Sequence, residues 1–221
     1  MKTSILRAVR TAALSSLMVL AITSTSAFAG TYNLEIGEGT INVSGEDQTA
    51  LTINGKVPGP VLRFKEGENL TINVTNKLDE DTSIHWHGLI LPYQQDGVPG
   101  ISFPGIKAGT TFTYNFPAQQ SGTYWYHSHS GLQEQAGVYG SIIIDSKKRE
   151  PFRYHKEYVV VLSDWHPTDS PQDILSNLKK SSDYYNYQQR TAGTFFDDVK
   201  KMGLGAAVSD RMDWGDMRML P

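Results

Sequence analysis

Residues 82–87 read Thr-Ser-Ile-His-Trp-His, and residues 123–129 read Thr-Tyr-Trp-Tyr-His-Ser-His. Both stretches are rich in β-branched and aromatic residues, which favour strands, and both end in a His-x-His pair. Residues i and i+2 of an extended chain point to the same side, so each pair presents two imidazoles about 6–7 Å apart. Two such strands side by side would direct four imidazoles into one space. Neutral imidazoles in that arrangement are ligands for a transition metal such as copper or zinc.

The sequence around these two stretches predicts further short strands separated by turns. Alternating polar and apolar residues, or short apolar runs, predict strands over residues 40–43, 70–75, 110–116 and 141–144. Turn signals lie between them at Asn54-Gly55, Pro58-Gly59-Pro60 and Glu66-Gly67. Several short strands with no long helix indicate an all-β sandwich or barrel.

The pattern changes after Asp145. Residues 147–151 are typical of an exposed linker, and residues 158–162 (Tyr-Val-Val-Val-Leu) predict one more strand, which would open a second domain. Ser170-Pro171 precedes a predicted short helix over residues 172–180. The roughly seventy residues after the linker are few for a complete second sandwich, which takes about 100. We therefore expect the chain to stop inside its second domain.

The first residues have the layout of a secretory signal peptide. A basic start is followed by an apolar run over residues 12–22 and by Ala27-Phe28-Ala29, a small-x-small cleavage pattern. The run is shorter than the ~20 apolar residues of a membrane-spanning helix. Arg7 and Arg10 are not adjacent, so the sequence predicts a Sec-type signal. The predicted parts are a signal peptide over residues 1–29, a first domain over residues 30–148, and a linker with a partial second domain over residues 149–221.

Charge and hydropathy argue against a nucleic-acid-binding protein and against a later membrane span. Without residues 1–29 the chain holds 17 basic and 23 acidic residues. An acidic balance argues against nucleic acid as a partner, because phosphates select basic surfaces. No later segment is long and apolar enough to span a bilayer. The chain has no cysteine, so its stability is expected to come from the core and from bound metal.

Three motifs resemble those of multicopper oxidases. Residues 85–89 (His-Trp-His-Gly-Leu), followed by Asp96-Gly97, resemble the first copper motif of that family, and residues 122–129 resemble the second. The turns at residues 54–60 are similar to those early in the family's first domain. The resemblance runs from about residue 32 to residue 145. It implies a cupredoxin-like Greek-key sandwich or barrel, followed by an incomplete second cupredoxin domain.

Further residues narrow the resemblance within the family. Residues 131–140 and the Asp164-Trp165 start of the predicted second domain look most like the periplasmic copper-resistance protein A group. The resemblance therefore implies a periplasmic protein that binds copper. It also implies a reaction in which oxidation of copper(I) or a phenol is coupled to reduction of dioxygen to water.

The resemblance also implies roles for individual residues. His85 would bind the type 2 copper of a trinuclear cluster, and His87, His127 and His129 would bind the type 3 pair, on which dioxygen is reduced. Asp96 matches an acidic residue that hydrogen-bonds near the cluster and assists proton delivery. A carboxylate suits that role, because dioxygen needs four protons to become water. The alternative for Asp96 is a turn-forming Asp-Gly pair.

The chain holds only part of what the family's reaction needs. The family uses eight histidines and, in a C-terminal domain, the cysteine of a type 1 copper site; this chain matches four of those histidines and has no cysteine. One hypothesis is therefore a part of an oxidase, completed by a C-terminal cupredoxin domain or a second chain. The other is a non-catalytic periplasmic protein that sequesters copper. A structural zinc site is a third alternative, although zinc favours closed sites with one ion.

The remaining candidate ligands are expected to have roles other than metal binding. His155 lies in a charged stretch and is expected to be solvated, and His166, beside Trp165, is expected to be structural. Four methionines near the C-terminus could offer thioethers to copper(I), although packing is the simpler role. They are Met202, Met212, Met217 and Met219.

Overall fold

The computed structural model describes residues 29–43, 45–180, 184–185 and 191–218, with only the backbone at residues 29 and 214–218. These residues form two compact units, which divide between Ser163 and Asp164. The predicted signal peptide over residues 1–29 lies almost wholly outside the described residues. The first unit holds the strands and the second holds α-helices. No described helix is both long and apolar enough to cross a membrane.

The described part of the first unit contains eight strands in two sheets. In chain order they are β1 (Ala29–Asn42), β2 (Asp47–Ile53), β3 (Leu62–Lys65), β4 (Asn69–Asn76), β5 (His85–His87), β6 (Thr111–Pro117), β7 (Gly122–His127) and β8 (Tyr139–Asp145). One sheet has the order β2-β1-β4-β6, and the other has the order β3-β8-β7-β5. The second sheet therefore places β5 and β7, which carry the two histidine pairs, side by side. A 3-10 helix over Tyr93–Gln95 lies in the loop that follows β5.

Each sheet mixes parallel and antiparallel pairing. In the first sheet β1 runs antiparallel to β2 and parallel to β4, and β4 runs antiparallel to β6. In the second sheet β3 runs parallel to β8, while β7 runs antiparallel to both β8 and β5. After β2 the chain turns through Asn54 and Gly55, whose positive φ angles of 53° and 72° match the preference of these two residues for left-handed backbone.

The core lies between the sheets and is built from the inward-facing residues of each strand. In β4 the burial alternates strictly, with Leu70, Ile72 and Val74 buried between more exposed neighbours. Trp86 and Tyr126 are the fully buried aromatic residues of the histidine-bearing strands, and both are 0% exposed. Burying a large apolar side chain contributes about 1.5–3 kcal/mol. These aromatic residues therefore fix β5 and β7 against the core.

The structure confirms the all-β prediction for the first unit. Strands lie at the predicted positions 70–75, 110–116 and 141–144, and the predicted strand at 40–43 is the end of the longer β1. The predicted short helix is also confirmed, as α1 (Pro171–Lys180). Two further helices follow, α2 (Ala192–Met202) and α3 (Leu204–Arg218). The description of residues 149–221 as part of a cupredoxin domain stays a prediction.

The predicted strand over residues 158–162 is wrong for this structure. These residues form no strand, and Tyr158, Val160 and Leu162 are 77%, 76% and 91% exposed. A strand exists only where a neighbouring strand accepts its backbone hydrogen bonds. The apolar pattern predicted the strand, but the described residues provide no partner for it.

A cluster of charged side chains links strands β3 and β8 to the segment that follows β8. Arg63 donates from Nε and Nη2 to both carboxylate oxygens of Asp145, at 2.8 and 2.6 Å, and from Nη1 to Glu157 at 2.5 Å. These hydrogen bonds from Arg63 lower the pKa of Asp145 from its ordinary value. The two side chains are 46% and 41% exposed, so solvent screens the pair.

Core packing can be tested at the centre of the first sheet. We expect Ile72→Ala to lower the free energy of unfolding by about 2–5 kcal/mol, because it leaves a cavity where the side chain is fully buried. Ile101→Ala is the matched control, since Ile101 is 69% exposed and such changes are usually worth about 0.5 kcal/mol or less. Urea unfolding measures both, and equal losses would contradict the assigned core.

The charge cluster predicts a dependence of stability on acid. Because the folded-state pKa of Asp145 is depressed, its contribution is present above the unfolded-state pKa and is lost as pH falls through the folded pKa. We expect the stability difference between the native chain and Asp145→Asn to shrink as the pH falls from about 5 to about 2. Urea unfolding across that range measures it. Asp79→Asn, an exposed carboxylate outside the cluster, is the control, and identical trends for both variants would contradict the expectation.

Candidate metal centre

The register of β5 and β7 brings the two histidine pairs together. His85 lies opposite His127, Trp86 opposite Tyr126, and His87 opposite Trp125. Since successive residues of a strand face opposite sides, burying Trp86 and Tyr126 in the core turns His85, His87 and His127 to the other face. Their rings lie close there, with centroids 5.4–5.6 Å apart.

His85 is held by the loop that contains Asp96. Its Nδ1 lies 2.7 Å from the backbone carbonyl oxygen of Asp96 and 3.5 Å from the carboxylate oxygen Oδ1. A carbonyl oxygen can only accept, so Nδ1 carries the proton and donates, which leaves the Nε2 lone pair free for a metal. Gly97 makes this approach possible: its φ is 83°, and a Cβ there would overlap the carbonyl oxygen of Ile84. The Asp-Gly turn and the contact with His85 are therefore parts of one arrangement.

His127 is the most buried of the four histidines. It is 4% exposed, and burial lowers its pKa to about 4. The ring is therefore neutral near pH 7. Its Nδ1 lies 2.7 Å from a carboxylate oxygen of Glu134 and 3.0 Å from the carbonyl oxygen of Ser128. Both atoms accept, so Nδ1 donates to them and the Nε2 lone pair is free. The contact with Glu134 is a hydrogen bond from a neutral ring, not an ion pair.

His87 and His127 have the spacing of two ligands on one ion. His87 Nδ1 lies 3.1 Å from His127 Nε2. Two nitrogens that bind one ion at about 2.0–2.1 Å lie no more than about 4.2 Å apart, so the observed separation fits a shared metal. One ligand nitrogen from each of His85, His87 and His127 lies within 4.8 Å of the other two, so the three residues form a group that could hold metal. Imidazole nitrogens are suitable ligands for copper.

His129 lies beside this group but not within it. Its ring centroid is 4.8 Å from that of His85 and 5.0 Å from that of His127. Partial desolvation of the ring and the nearby His85 lower the pKa of His129, which favours the neutral form that binds metal. Because β7 ends at His127, strand pairing does not hold His129. The structure thus brings three of the four predicted ligands together and places the fourth next to them.

Sequence reasoning missed three residues that shape this centre. Trp125 stacks on the ring of His127, with centroids 3.9 Å apart and planes 15° from parallel. The i, i+2 spacing of those two residues on a strand could have revealed that contact. Glu134 and Gln133 lie in the turn between β7 and β8, where no periodicity shows which way a side chain points. His155 is exposed, as expected, and His166 accepts hydrogen bonds from the backbone N–H groups of Thr168 and Asp169, which fits a structural role.

The sequence of the first unit matches a known family. The family profile of multicopper oxidases matches residues 35–149. Copper resistance protein A of Escherichia coli is 56% identical over 190 residues, which cover 86% of this chain and 31% of that protein. L-ascorbate oxidase of Nicotiana tabacum is 42% identical over 136 residues, covering 59% of this chain and 24% of that protein. The chain therefore spans about a third or less of the length of these relatives.

The fold matches as well. The crystal structure of a multi-copper oxidase from Pseudomonas thermotolerans superposes with a TM-score of 0.56 at 36% sequence identity, covering 58% of this chain and 32% of that one. A laccase from Botrytis aclada gives a TM-score of 0.52 at 43% identity, covering 54% of this chain and 23% of that one. These likenesses confirm the expected all-β cupredoxin-like fold. Together with the profile match and the paired histidines, they show that the chain belongs to the multicopper oxidase family.

Proposed function

We propose that the chain is the copper-binding N-terminal part of a multicopper oxidase. His85 is assigned to a type 2 copper, and His87, His127 and His129 are assigned to a type 3 pair. The observation that carries the proposal is the 3.1 Å separation of His87 Nδ1 and His127 Nε2, in a chain whose family is defined by copper. Copper, when bound, supplies the one-electron steps that couple oxidation of copper(I) or a phenol to reduction of dioxygen to water.

Asp96 has two tasks in this proposal. Its backbone carbonyl orients His85, and its carboxylate, 3.5 Å from the same ring nitrogen, handles protons. The Asp96 side chain is 34% exposed, so it can exchange protons with water while it lies next to the cluster. Reduction of dioxygen consumes four protons, and a carboxylate in contact with both a ligand and solvent suits their delivery.

Oxidase activity in this proposal depends on further polypeptide. A blue-copper site takes electrons through a cysteine thiolate, and none of the 221 residues is cysteine. The remaining cluster ligands and the thiolate would come from a C-terminal cupredoxin domain or a second chain. Export to the periplasm by a Sec-type signal is part of the same proposal, and the composition of residues 1–29 supports it.

A second candidate function is copper sequestration without catalysis. Two observations favour it: the chain has no cysteine, and both His87 and His129 are exposed. An exposed, incomplete ligand set can take up and release copper. The two functions differ in oxygen consumption.

Both candidate functions require the chain to bind copper, so counting bound copper tests both. After loading and removal of excess metal, we expect the chain to retain copper and the double variant His85→Ala/His127→Ala to lose it. The pair supplies two of the three clustered nitrogens. His155→Ala is the matched control, because His155 is exposed in the segment after β8. Elemental analysis gives the copper content, and an unchanged content in the double variant would refute the assigned ligands.

Oxygen uptake separates the two candidates. We expect no uptake with copper(I) or a phenol from the chain alone. Joined to the C-terminal remainder of the Escherichia coli relative, which is 56% identical over the shared region, the chain should consume oxygen. His127→Ala should abolish this uptake and His155→Ala should preserve it. A fully loaded chimera without oxygen uptake would favour sequestration.

The role of Glu134 can be tested through copper affinity. Removing the partner of a metal-bound imidazole typically weakens metal binding about 10–100-fold. We expect Glu134→Ala to weaken copper binding by about tenfold, because the Ser128 carbonyl still accepts from His127 Nδ1. Glu134→Gln, which keeps an acceptor oxygen, should lose less. Chelator competition measures both, with the exposed Glu38→Ala as control; equal affinities for all three variants would contradict this role.

A further inference from the structure

The side-chain amide of Gln133 is buried and fully hydrogen-bonded. It is 4% exposed. Its Oε1 accepts from the hydroxyls of Thr82 and Ser128, at 2.6 and 2.9 Å. Its Nε2 donates to Glu80 Oε1 and to the carbonyl oxygen of Asp81, at 2.8 and 2.9 Å. An amide has two acceptor lone pairs and two N–H donors, so every position is used.

These hydrogen bonds reach both histidine pairs. Ser128 lies between His127 and His129, whereas residues 80–82 lead directly into β5 and His85. One side chain thus joins the segment that carries the second pair to the segment that precedes the first. A second connection runs in parallel, because Ser83 Oγ accepts from the backbone N–H of His129 at 2.9 Å and lies 2.9 Å from Ser130 Oγ.

The hydrogen-bond network holds the turn around His129, which lies beyond the paired part of β7. The three register pairs between β5 and β7 end at the pair of His85 and His127. His129 follows the end of β7, so its position depends on the turn that contains Ser128, Ser130 and Gln133. Ser128 Oγ accepts from the backbone N–H of Ser130 at 2.9 Å and donates to Gln133. The turn around His129 is therefore tied to residues 80–83 through side chains.

We propose that Gln133 is a positioning residue for the metal centre: through Ser128, Thr82 and the backbone of Asp81 it sets where His129 lies relative to His85. The inference rests on the proposed function, since it concerns the copper ligands. Gln133 is not proposed to contact copper or substrate. It acts by holding two short segments at a fixed separation, and a ligand displaced by about 1 Å binds its metal poorly.

The first test replaces Gln133 with a side chain of similar size that cannot hydrogen-bond. In Gln133→Leu we expect the copper(II) dissociation constant of the full chain, measured by chelator competition, to rise about tenfold. Thr52→Val is the matched control, because it removes a buried hydrogen bond, from Thr52 Oγ1 to the Gly37 carbonyl oxygen, in the other sheet. Both variants should lose stability in the copper-free state, but only Gln133→Leu should lose copper affinity. Loss of stability alone in both would overturn the proposal.

A second test exchanges the chemistry of the hydrogen bonds at nearly constant volume. Gln133→Glu replaces the donating amide nitrogen with an oxygen that faces Glu80 and the Asp81 carbonyl, so copper affinity should fall. Glu80→Gln in the same chain restores a donor to that pair, and it should recover part of the affinity. A double variant that binds no better than Gln133→Glu would mean that these hydrogen bonds do not position the ligands, and would overturn the proposal.

A replacement variant and a second readout separate loss of folding from loss of ligand position. If Gln133→Leu does not fold, as judged by circular dichroism, Thr82→Val takes its place, because it removes the hydroxyl that donates to Gln133 Oε1 at 2.6 Å and should weaken copper binding in the same way. Imidazole ¹⁵N shifts of the copper-free chain report directly on His129 and should change in either variant, but not in Thr52→Val. A native chain that binds no copper would refute the proposed function. If the native chain binds copper and Gln133→Leu or its substitute Thr82→Val binds it equally tightly, this inference alone is refuted.

Discussion

The burial of Trp86 and Tyr126 is the constraint on which the metal centre depends. The two residues are register partners in β5 and β7, both are 0% exposed, and Tyr126 also donates a hydrogen bond to the carbonyl oxygen of Pro60 at 2.8 Å. A register slip of one residue would expose these aromatic residues and turn His85 and His127 into the core. Burial of these two side chains thereby favours a register in which the imidazoles share the opposite face.

The same packing sets the charge state of His127. Burial disfavours the protonated form of His127, and the nearby imidazoles add to that effect, so the ring stays neutral. Neutral rings still have to present a lone pair to the metal and direct the N–H elsewhere. The carbonyl oxygen of Asp96 and the carboxylate of Glu134 accept those N–H groups. Hydrogen bonding thus places the proton of both rings on Nδ1 and leaves Nε2 free for a metal.

Much of this arrangement could be predicted from the sequence, because period-two patterning is local. The alternation around Ile72 and the His-x-His pairs revealed the strands, the buried face and three clustered histidines. Side-chain direction in turns is not periodic, and so Gln133 and Glu134 were missed, although they lie within seven residues of His127. The exposed segment over residues 158–162 is the opposite case, because the sequence predicted a strand that the structure does not form. Its apolar pattern is strand-like, but pairing is a property of two segments, and the pattern of one says nothing about its neighbour.

The candidate centre lies at a sheet edge, a position that suits both proposed functions. Within the described residues β5 is the last strand of its sheet, and His87 and His129 remain exposed. Copper held by these imidazoles would keep room for further ligands, as catalytic metal sites do and closed structural sites do not. Ligands from another domain can enter from the open side without disturbing the register behind it. The buried Trp86–Tyr126 pair lies on the opposite face of these strands, so the packing that sets the register is separate from the exposed histidines.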